Sequence, residues 1–130
     1  MGATLSVQVT ADTTITTTAE TVLATLSGVS TPRPGLKVVL TGFAQITTGG
    51  STTALTFRVR RGTAITDPLV GEANPEQIEA AAGSTEGHTV VFEDTPGEVA
   101  GQSYVLTAQA TAAAANASGV FASLKAEVLY

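Results

Sequence analysis

The chain has 130 residues and a mass of 13.0 kDa, which suits one domain that buries a core without needing cross-links. It contains no cysteine, which excludes a disulfide framework and a zinc site built on thiolates. Its 11 acidic and 6 basic residues give a net charge of −5, which argues against a protein that follows the phosphates of nucleic acid.

Membrane insertion and secretion are not indicated by the sequence. No apolar run approaches the ~20 residues of a membrane-spanning helix. The start, MGATLSVQVT, lacks the basic and apolar regions of a signal peptide. The sequence therefore predicts a soluble protein whose partners include neither a membrane nor nucleic acid.

Apolar and polar residues alternate along most of the chain, which is the period of a strand with one buried face. Residues 1–20, rich in Thr, are predicted to form an N-terminal arm or edge strand, and residues 21–130 a single β-sandwich domain. The stretch TVLATL begins that domain, and the break STPRPG separates it from LKVVLTGFAQI. Within LKVVLTGFAQI, Gly42 is predicted to be a β-bulge or a point of close packing.

The next segments contain one hairpin signal and one helix signal. Gly49-Gly50 in TTGGST predicts a hairpin that joins LKVVLTGFAQI to TALTFRVRR. Further on, Asn74 suits a helix N-cap, Pro75 the first helical position and Gly83 the end of a helix. The pattern predicts one short helix of about two turns in this segment.

Alternation resumes in HTVVFED, QSYVLTAQATA and VFASLKAEVLY, which are separated by the turn TPGEVAG and the small-residue segment AAAANASG. Eight or nine strands, with turn signals every 8 to 14 residues or so, are typical of sandwiches. The predicted fold is all-β: an antiparallel, jelly-roll-like β-sandwich with one short helix.

Catalytic residues are scarce. His88 is the single histidine, and no G-x-S-x-G motif presents a serine nucleophile. Period two in HTVVFED places His88 on the side of Val90 and Phe92, so we expect a half-buried histidine at a strand end. The sequence therefore predicts a non-enzymatic protein without a cofactor.

The segment FEDTPGE carries three carboxylates, those of Glu93, Asp94 and Glu98. Oxygen ligands of this kind suit Ca²⁺, but their spacing does not match an EF-hand loop. We therefore expect no metal site and interpret the segment as an acidic rim that faces solvent or a partner.

The octet LTFRVRRG holds three of the six basic residues. Its apolar residues point to one face, so Arg58 and Arg60 point to the other, and Arg61 is placed at the following turn. Two interpretations stay open. One is a solvated face whose charge discourages edge pairing. The other is a subunit or partner contact in which guanidinium groups bind carboxylates such as those of FEDTPGE.

The last strand, VFASLKAEVLY, has apolar residues on both faces, which suits either an ordinary central strand or a strand between a core and a subunit contact. Phe121 lies on the face opposite to the core, and Leu129 and Tyr130 add apolar surface. The predicted subunit or partner interface consists of Arg58, Arg60, Arg61, Glu93, Asp94, Glu98, Phe121, Leu129 and Tyr130.

The segments TVLATLSGV, GLKVVLTGFAQI, TALTFRVRRGTAI, SYVLTAQATA and LKAEVLY resemble the small jelly-roll modules of virus particles. The resemblance is greatest to the decoration proteins that form trimers on tailed-bacteriophage heads. It implies a homotrimer on the capsid surface of the virion that binds the major capsid protein, with an N-terminal arm that contacts neighbouring subunits. The layout is also similar to the trimeric jelly rolls of the tumour-necrosis-factor and complement kind, without their aromatic-rich strands.

Two functions follow as expectations. The first is a non-enzymatic structural protein of a virus particle, a decoration or stabilising subunit of the capsid. The alternative is an adhesion module with a β-sandwich fold that binds a receptor or a carbohydrate.

Overall fold

The computed structural model describes residues 2–10, 13–15, 19–48, 53–78, 85–110 and 117–130. Within these ranges the chain forms nine strands. They are β1 (Gly2–Val9), β2 (Thr13–Ile15), β3 (Thr21–Thr31), β4 (Lys37–Thr48), β5 (Thr53–Arg61), β6 (Leu69–Ile78), β7 (Thr85–Asp94), β8 (Val99–Ala110) and β9 (Ala117–Leu129).

The strands form two antiparallel sheets. The first sheet has the order β1-β9-β4-β7, and β2 pairs with β9 beyond the end of β1 along the same edge. The second sheet has the order β3-β8-β5-β6. Apart from the β5–β6 pair, consecutive strands from β2 onward lie in different sheets, which is the strand order of a jelly roll. The predicted all-β sandwich is confirmed.

The core lies between the sheets, where alternate residues of each strand meet. In β9, Leu124 and Val128 are buried, whereas Lys125 and Glu127 are exposed. Burial of each large aliphatic side chain stabilises the fold by about 1.5–3 kcal/mol. The largest fully buried side chains are Tyr104, Phe57, Ile15, Leu40, Ile46, Leu55, Leu106 and Leu124.

Gly42 allows the two sheets to approach closely. A Cβ atom at this position would lie 2.9 Å from Leu106 Cδ1 and 3.2 Å from Val90 Cγ2. The pairing of β4 with β7 continues through Gly42 without a shift, and the irregularity between β4 and β9 falls later, between Gln45 and Ile46. Close packing, the second of the two predicted roles, is therefore confirmed, and the bulge at Gly42 is wrong.

The predicted helix that begins at Asn74 is wrong within the described residues. Residues 74–78 belong to β6, and residues 79–84 lie outside the described part of the chain. Hydrogen bonding to β5 overrides the local capping signals, and Pro75 falls where the β5–β6 register shifts, on an edge strand that tolerates proline. No helix in the described ranges is long and apolar enough to cross a membrane.

The predicted hairpin between LKVVLTGFAQI and TALTFRVRR is also wrong, because β4 and β5 lie in different sheets. Gly49 and Gly50 themselves lie outside the described residues. A glycine pair permits a reversal of the chain but does not select the strand that follows as partner. Here β4 pairs with β7 and β9, while β5 pairs with β6 and β8.

The N-terminal segment forms the edge of the first sheet in this chain. β1 pairs with β9 from Gly2 opposite Leu129 to Val9 opposite Ala122. β2 follows along the same edge, and its Ile15 is fully buried in the core. The chain then passes Glu20 and enters β3 in the second sheet, which places the Glu20 carboxylate beside β5.

Candidate functional site

Arg58 and Arg60 lie on the outer face of the second sheet, as their positions in β5 predict. Both bind Glu20, whose side chain is only 8 % exposed. Arg60 donates to both carboxylate oxygens of Glu20, from Nε to Oε2 and from Nη2 to Oε1, each at 2.8 Å. Arg58 Nη1 donates to Oε1 at 3.2 Å, and Thr107 Oγ1 donates to Oε2 at 2.5 Å. These four residues form what we call the Glu20 cluster.

Further bonds within the chain engage both guanidinium groups of the Glu20 cluster. Arg58 donates to Glu72 Oε1 at 2.5 Å and to Gln109 Oε1 at 3.1 Å. Arg60 Nη1 donates to the carbonyl oxygen of Asp67 at 2.9 Å. A partner that bound either arginine through its fork would have to displace these groups.

Arg61 takes part in a second cluster, at one end of the sandwich. It is the last residue of β5 and continues the inward-facing series of Phe57 and Val59, so its predicted place at a turn is wrong. Its Nε donates to Asp94 Oδ2 at 2.9 Å and its Nη2 donates to Oδ1. Tyr104 OH donates to the same Oδ2 at 2.8 Å. This Asp94 cluster connects β5 and β8 of the second sheet to β7 of the first.

Both buried carboxylates are held in the ionised form. Burial by itself raises the pKa of Glu20, but the hydrogen bonds from Arg60 and Thr107 outweigh it, so this pKa lies below its ordinary value. Burial likewise raises the pKa of Asp94, and the hydrogen bonds from Arg61 and Tyr104 reverse the effect. Burial and the bond to Asp94 raise the pKa of the Tyr104 phenol. The carboxylates of both clusters therefore stay ionised near neutral pH.

These pKa shifts predict that acid destabilises the fold. Glu20 and Asp94 have ordinary pKa values of 4.5 and 3.8, and lower ones when folded. Their stabilising contribution is therefore complete above the ordinary values and is lost as the pH falls through the folded ones. We expect the urea concentration at the midpoint of unfolding to decrease as the pH is lowered from about 6 to about 3.

The matched variant for this pH experiment carries Glu20→Gln and Asp94→Asn, which keep the shapes and remove the titrations. We expect it to be less stable than the wild type at pH 6 and to depend less on pH, as measured by urea unfolding. An equal loss of midpoint in both proteins on acidification would contradict the assignment to these two carboxylates.

The other two carboxylates of FEDTPGE lie apart from the Asp94 cluster. Glu93 is exposed and its Oε2 lies 3.5 Å from Lys37 Nζ, an ion pair that is solvated on both sides. Glu98 lines an open groove of about 530 Å³ together with Ser30, Thr31, Pro32, Val99 and Ala100. Within the described residues, no three His, Cys, Asp or Glu side chains are placed to hold a metal ion.

His88 lies on the inward face of β7 and is half-buried, as its position in HTVVFED predicts, but β7 begins at Thr85, so the expected place at a strand end is wrong. Its ring stacks on Phe57 with centroids 5.9 Å apart and an interplanar angle of 29°. The groove beside Glu98 does not include it. In the described structure His88 is thus a packing residue of the sandwich.

The terminal-strand residues lie on the outer face of the first sheet or at its end. Phe121 is half-buried and meets Phe43 of β4 edge to face, with ring centroids 6.0 Å apart. Leu129 and Tyr130 are exposed, and the Arg33 guanidinium carbon lies 6.0 Å from the centroid of the Tyr130 ring. The structure therefore separates these residues from the Glu20 cluster, which lies on the other sheet.

Sequence reasoning missed two residues that organise these surfaces. Glu20 lies 40 residues from Arg60 in the chain, and no local pattern connects them. Phe43 had a usable signal, because period two places it with Val39 and Thr41 on the face opposite to Leu40. The expected contact between arginines and FEDTPGE carboxylates does exist, but within one chain, through Arg61.

No family model matches this chain, and no curated protein matches its sequence. Its fold is found in solved structures. One chain of the structure of infectious bursal disease virus Gx strain matches with a TM-score of 0.59 and 10 % identity. The match covers 98 % of this chain and 33 % of that one.

A chain of the infectious bursal disease virus Gt strain structure matches with a TM-score of 0.53 and 8 % identity, over 95 % of this chain and 32 % of that one. A family 35 carbohydrate-binding module from Clostridium thermocellum matches over 94 % of this chain and 97 % of that one at 9 % identity, with a TM-score of 0.43. This chain thus spans about a third of the viral chains. At such identities the likeness shows the fold alone.

Proposed function

We propose that this chain is a non-enzymatic structural subunit of a virus particle, which associates with copies of itself and binds the assembled capsid as a decoration or stabilising subunit. The observation that carries the proposal is the fold. Nearly the whole chain, 98 % of it, matches one segment of a larger chain from infectious bursal disease virus. In the proposed role, the outer surfaces of the sandwich contact neighbouring subunits.

The placement of the ionisable groups supports a role in adhesion. Arg58, Arg60 and Arg61 bind carboxylates of their own chain, and the imidazole of His88 packs against Phe57. These groups stabilise the sandwich and are not gathered around a substrate cleft in the described residues. Of the residues predicted to form an interface, those exposed to a partner are Glu93, Glu98, Leu129 and Tyr130.

The proposed mechanism is stabilisation by mass action. A subunit that binds the assembled lattice and not the free capsid protein lowers the free energy of the lattice by its own binding free energy. Several subunits linked in one oligomer bind more tightly than one, because each later contact forms within the same complex. A homotrimer, the state that the resemblance implies, would bridge neighbouring capsid subunits.

Two measurements test this function. Native mass spectrometry is expected to give three times the 13.0 kDa subunit mass. The isolated protein is also expected to co-sediment with particles assembled from the capsid protein of the same genome, saturably, and to raise the temperature at which they disassemble. Free capsid protein is the control. Equal binding to free and assembled capsid protein would contradict lattice stabilisation, as would the absence of a capsid gene from that genome.

The alternative, an adhesion module that binds carbohydrate, needs exposed planar rings. Of the six aromatic side chains, Phe57 and Tyr104 are buried, Phe43, Phe92 and Phe121 are half-buried, and Tyr130 is exposed. One exposed ring is a small platform, so the geometry favours the structural role. Specific binding on a glycan array would instead favour the carbohydrate-binding module over the structural role.

A further inference from the structure

The outer faces of the two sheets differ in how their charged groups are satisfied. On the second sheet the Glu20 cluster binds its charges together. On the first sheet, alternation with the buried residues defines an outer face that carries apolar and charged side chains. Its apolar and charged members are Lys37, Val39, Phe43, Val91, Glu93, Phe121, Lys125, Glu127 and Leu129.

The apolar side chains of this outer face lie on β4, on β9 and on the edge strand β7, and Lys125 stands among them. Val91 is 58 % exposed, the most exposed of the large apolar side chains in the described residues. Phe43 lies down over Gly87, where a Cβ atom would come within 2.9 Å of Phe43 Cε1. Its ring meets Phe121 edge to face at an angle of 62°. Rings that lie along a sheet leave a surface on which another sheet can pack face to face.

The charges on the outer face cancel, although the chain as a whole carries −5. Lys37 and Lys125 balance Glu93 and Glu127. Two copies of an acidic protein repel each other, and the repulsion is weakest where neutral faces approach. The balance therefore favours a second copy of this chain as occupant over a basic partner, which would bind the acidic remainder of the surface.

The positions of the charges on the outer face also suit contact with a second copy of this chain. In the described structure Lys125 and Glu127 have no partner within the chain, and they are separated by the buried Ala126. If two faces pack with their β9 strands antiparallel and crossing near Ala126, Lys125 of each copy lies opposite Glu127 of the other. Such a contact is self-complementary, as a twofold interface requires.

The size of the face is sufficient for a weak complex. Four strands about 4.8 Å apart and some 30 Å long cover roughly 550 Å² per copy. The pair would bury on the order of 1,100 Å², near the lower limit of specific interfaces. This predicts a dissociation constant in the micromolar range, roughly 1–100 µM.

We infer that the outer face of the first sheet binds the same face of a second copy, with Lys125 of one copy against Glu127 of the other. This inference does not rest on the proposed function. A trimer would need a different surface, because a twofold contact joins copies in pairs. Trimers that also paired through this face would contain six subunits.

Sedimentation velocity over about two orders of magnitude in concentration around 10 µM tests the pairing. A mass of two or six subunits supports it, and a mass of one or three contradicts it. A mass of three would leave the proposed trimer intact, a mass of two would contradict only the trimer, and a mass of one would contradict both.

Val91→Lys is the first variant, since it places a charge at the most exposed large apolar side chain of the face without disturbing a buried group. We expect the dissociation constant for self-association to rise by at least about tenfold. The matched control is Leu69→Lys, because Leu69 is 50 % exposed on β6, in the other sheet. An equal dissociation constant for the wild type and Val91→Lys would overturn the inference, provided that both unfold at the same temperature.

Charge reversal tests the pairing of the two faces directly. Lys125→Glu and Glu127→Lys should each weaken self-association by about tenfold or more, because like charges then face each other. An equimolar mixture of the two should associate as well as the wild type, within about threefold, since every facing pair is again opposite in sign. A mixture that associates no better than its components would contradict the proposed pairing.

Discussion

Replacing Asp94 by alanine is expected to lower the free energy of unfolding by about 3 kcal/mol. The Asp94 carboxylate is 7 % exposed and accepts hydrogen bonds from Arg61 and from Tyr104. Its removal leaves the Tyr104 hydroxyl buried without its acceptor, which costs more than the bond itself contributed. Arg61 is 35 % exposed and can turn to water, which keeps the loss below the upper range for buried ion pairs. Urea unfolding measures the change.

The adjacent residue supplies the control for Asp94→Ala. Glu93 lies on the same strand but points outward, and its ion pair with Lys37 is exposed on both sides. We expect Glu93→Ala to change the free energy of unfolding by less than about 0.5 kcal/mol. Similar losses in the two variants would mean that the Asp94 cluster does not hold the two sheets together.

Replacing Gly71 by alanine is expected to destabilise the fold by about 2–3 kcal/mol. Gly71 lies in β6 beneath the ring of Phe92, which projects from β7 of the other sheet. A Cβ atom at Gly71 would lie 2.1 Å from Phe92 Cδ1 and 2.5 Å from Cγ, far inside van der Waals contact. The ring packs against the core, so relief requires a movement of one sheet relative to the other. Thermal and urea unfolding measure the loss.

A second substitution distinguishes this clash from a general effect on β6. Phe92→Ala removes the Cγ, Cδ1 and Cε1 atoms that the new methyl group meets, so it should cost less in the Gly71→Ala background than in the wild type. The double-mutant cycle is expected to give a coupling of about 1 kcal/mol or more. Additive losses would show that the Gly71–Phe92 contact does not decide the cost.

Local sequence features determined much of the fold. Alternation in LTFRVRRG assigned the apolar side chains to the core and Arg58 and Arg60 to the opposite face, and both assignments agree with the structure. The prolines and the glycine of STPRPG lie between β3 and β4, as the predicted break requires. These predictions hold because the direction of a side chain on a strand depends on the backbone of that strand alone.

Local signals gave wrong predictions where pairing with a distant strand competes with the conformation that the local sequence favours. Asn74 and Pro75 carry helix-start signals, yet residues 74–78 pair with β5 as an edge strand. Gly49 and Gly50 favour a reversal, yet the strands on either side of them pair in different sheets. The hydrogen bonds of a strand come from distant partners, and capping or turn propensities of about 1 kcal/mol do not outweigh them.

The sequence alone determined that this is a cysteine-free, acidic β-sandwich with one histidine and few aromatic rings, because composition and period-two alternation need no knowledge of the partner strand. Only the tertiary structure decided what the charged residues do. Glu20 reaches Arg60 across 40 residues, and Arg61 reaches Asp94 across 33. Whether an arginine meets a carboxylate of its own chain or of another depends on which strands lie side by side, and that order is set by packing of the whole domain.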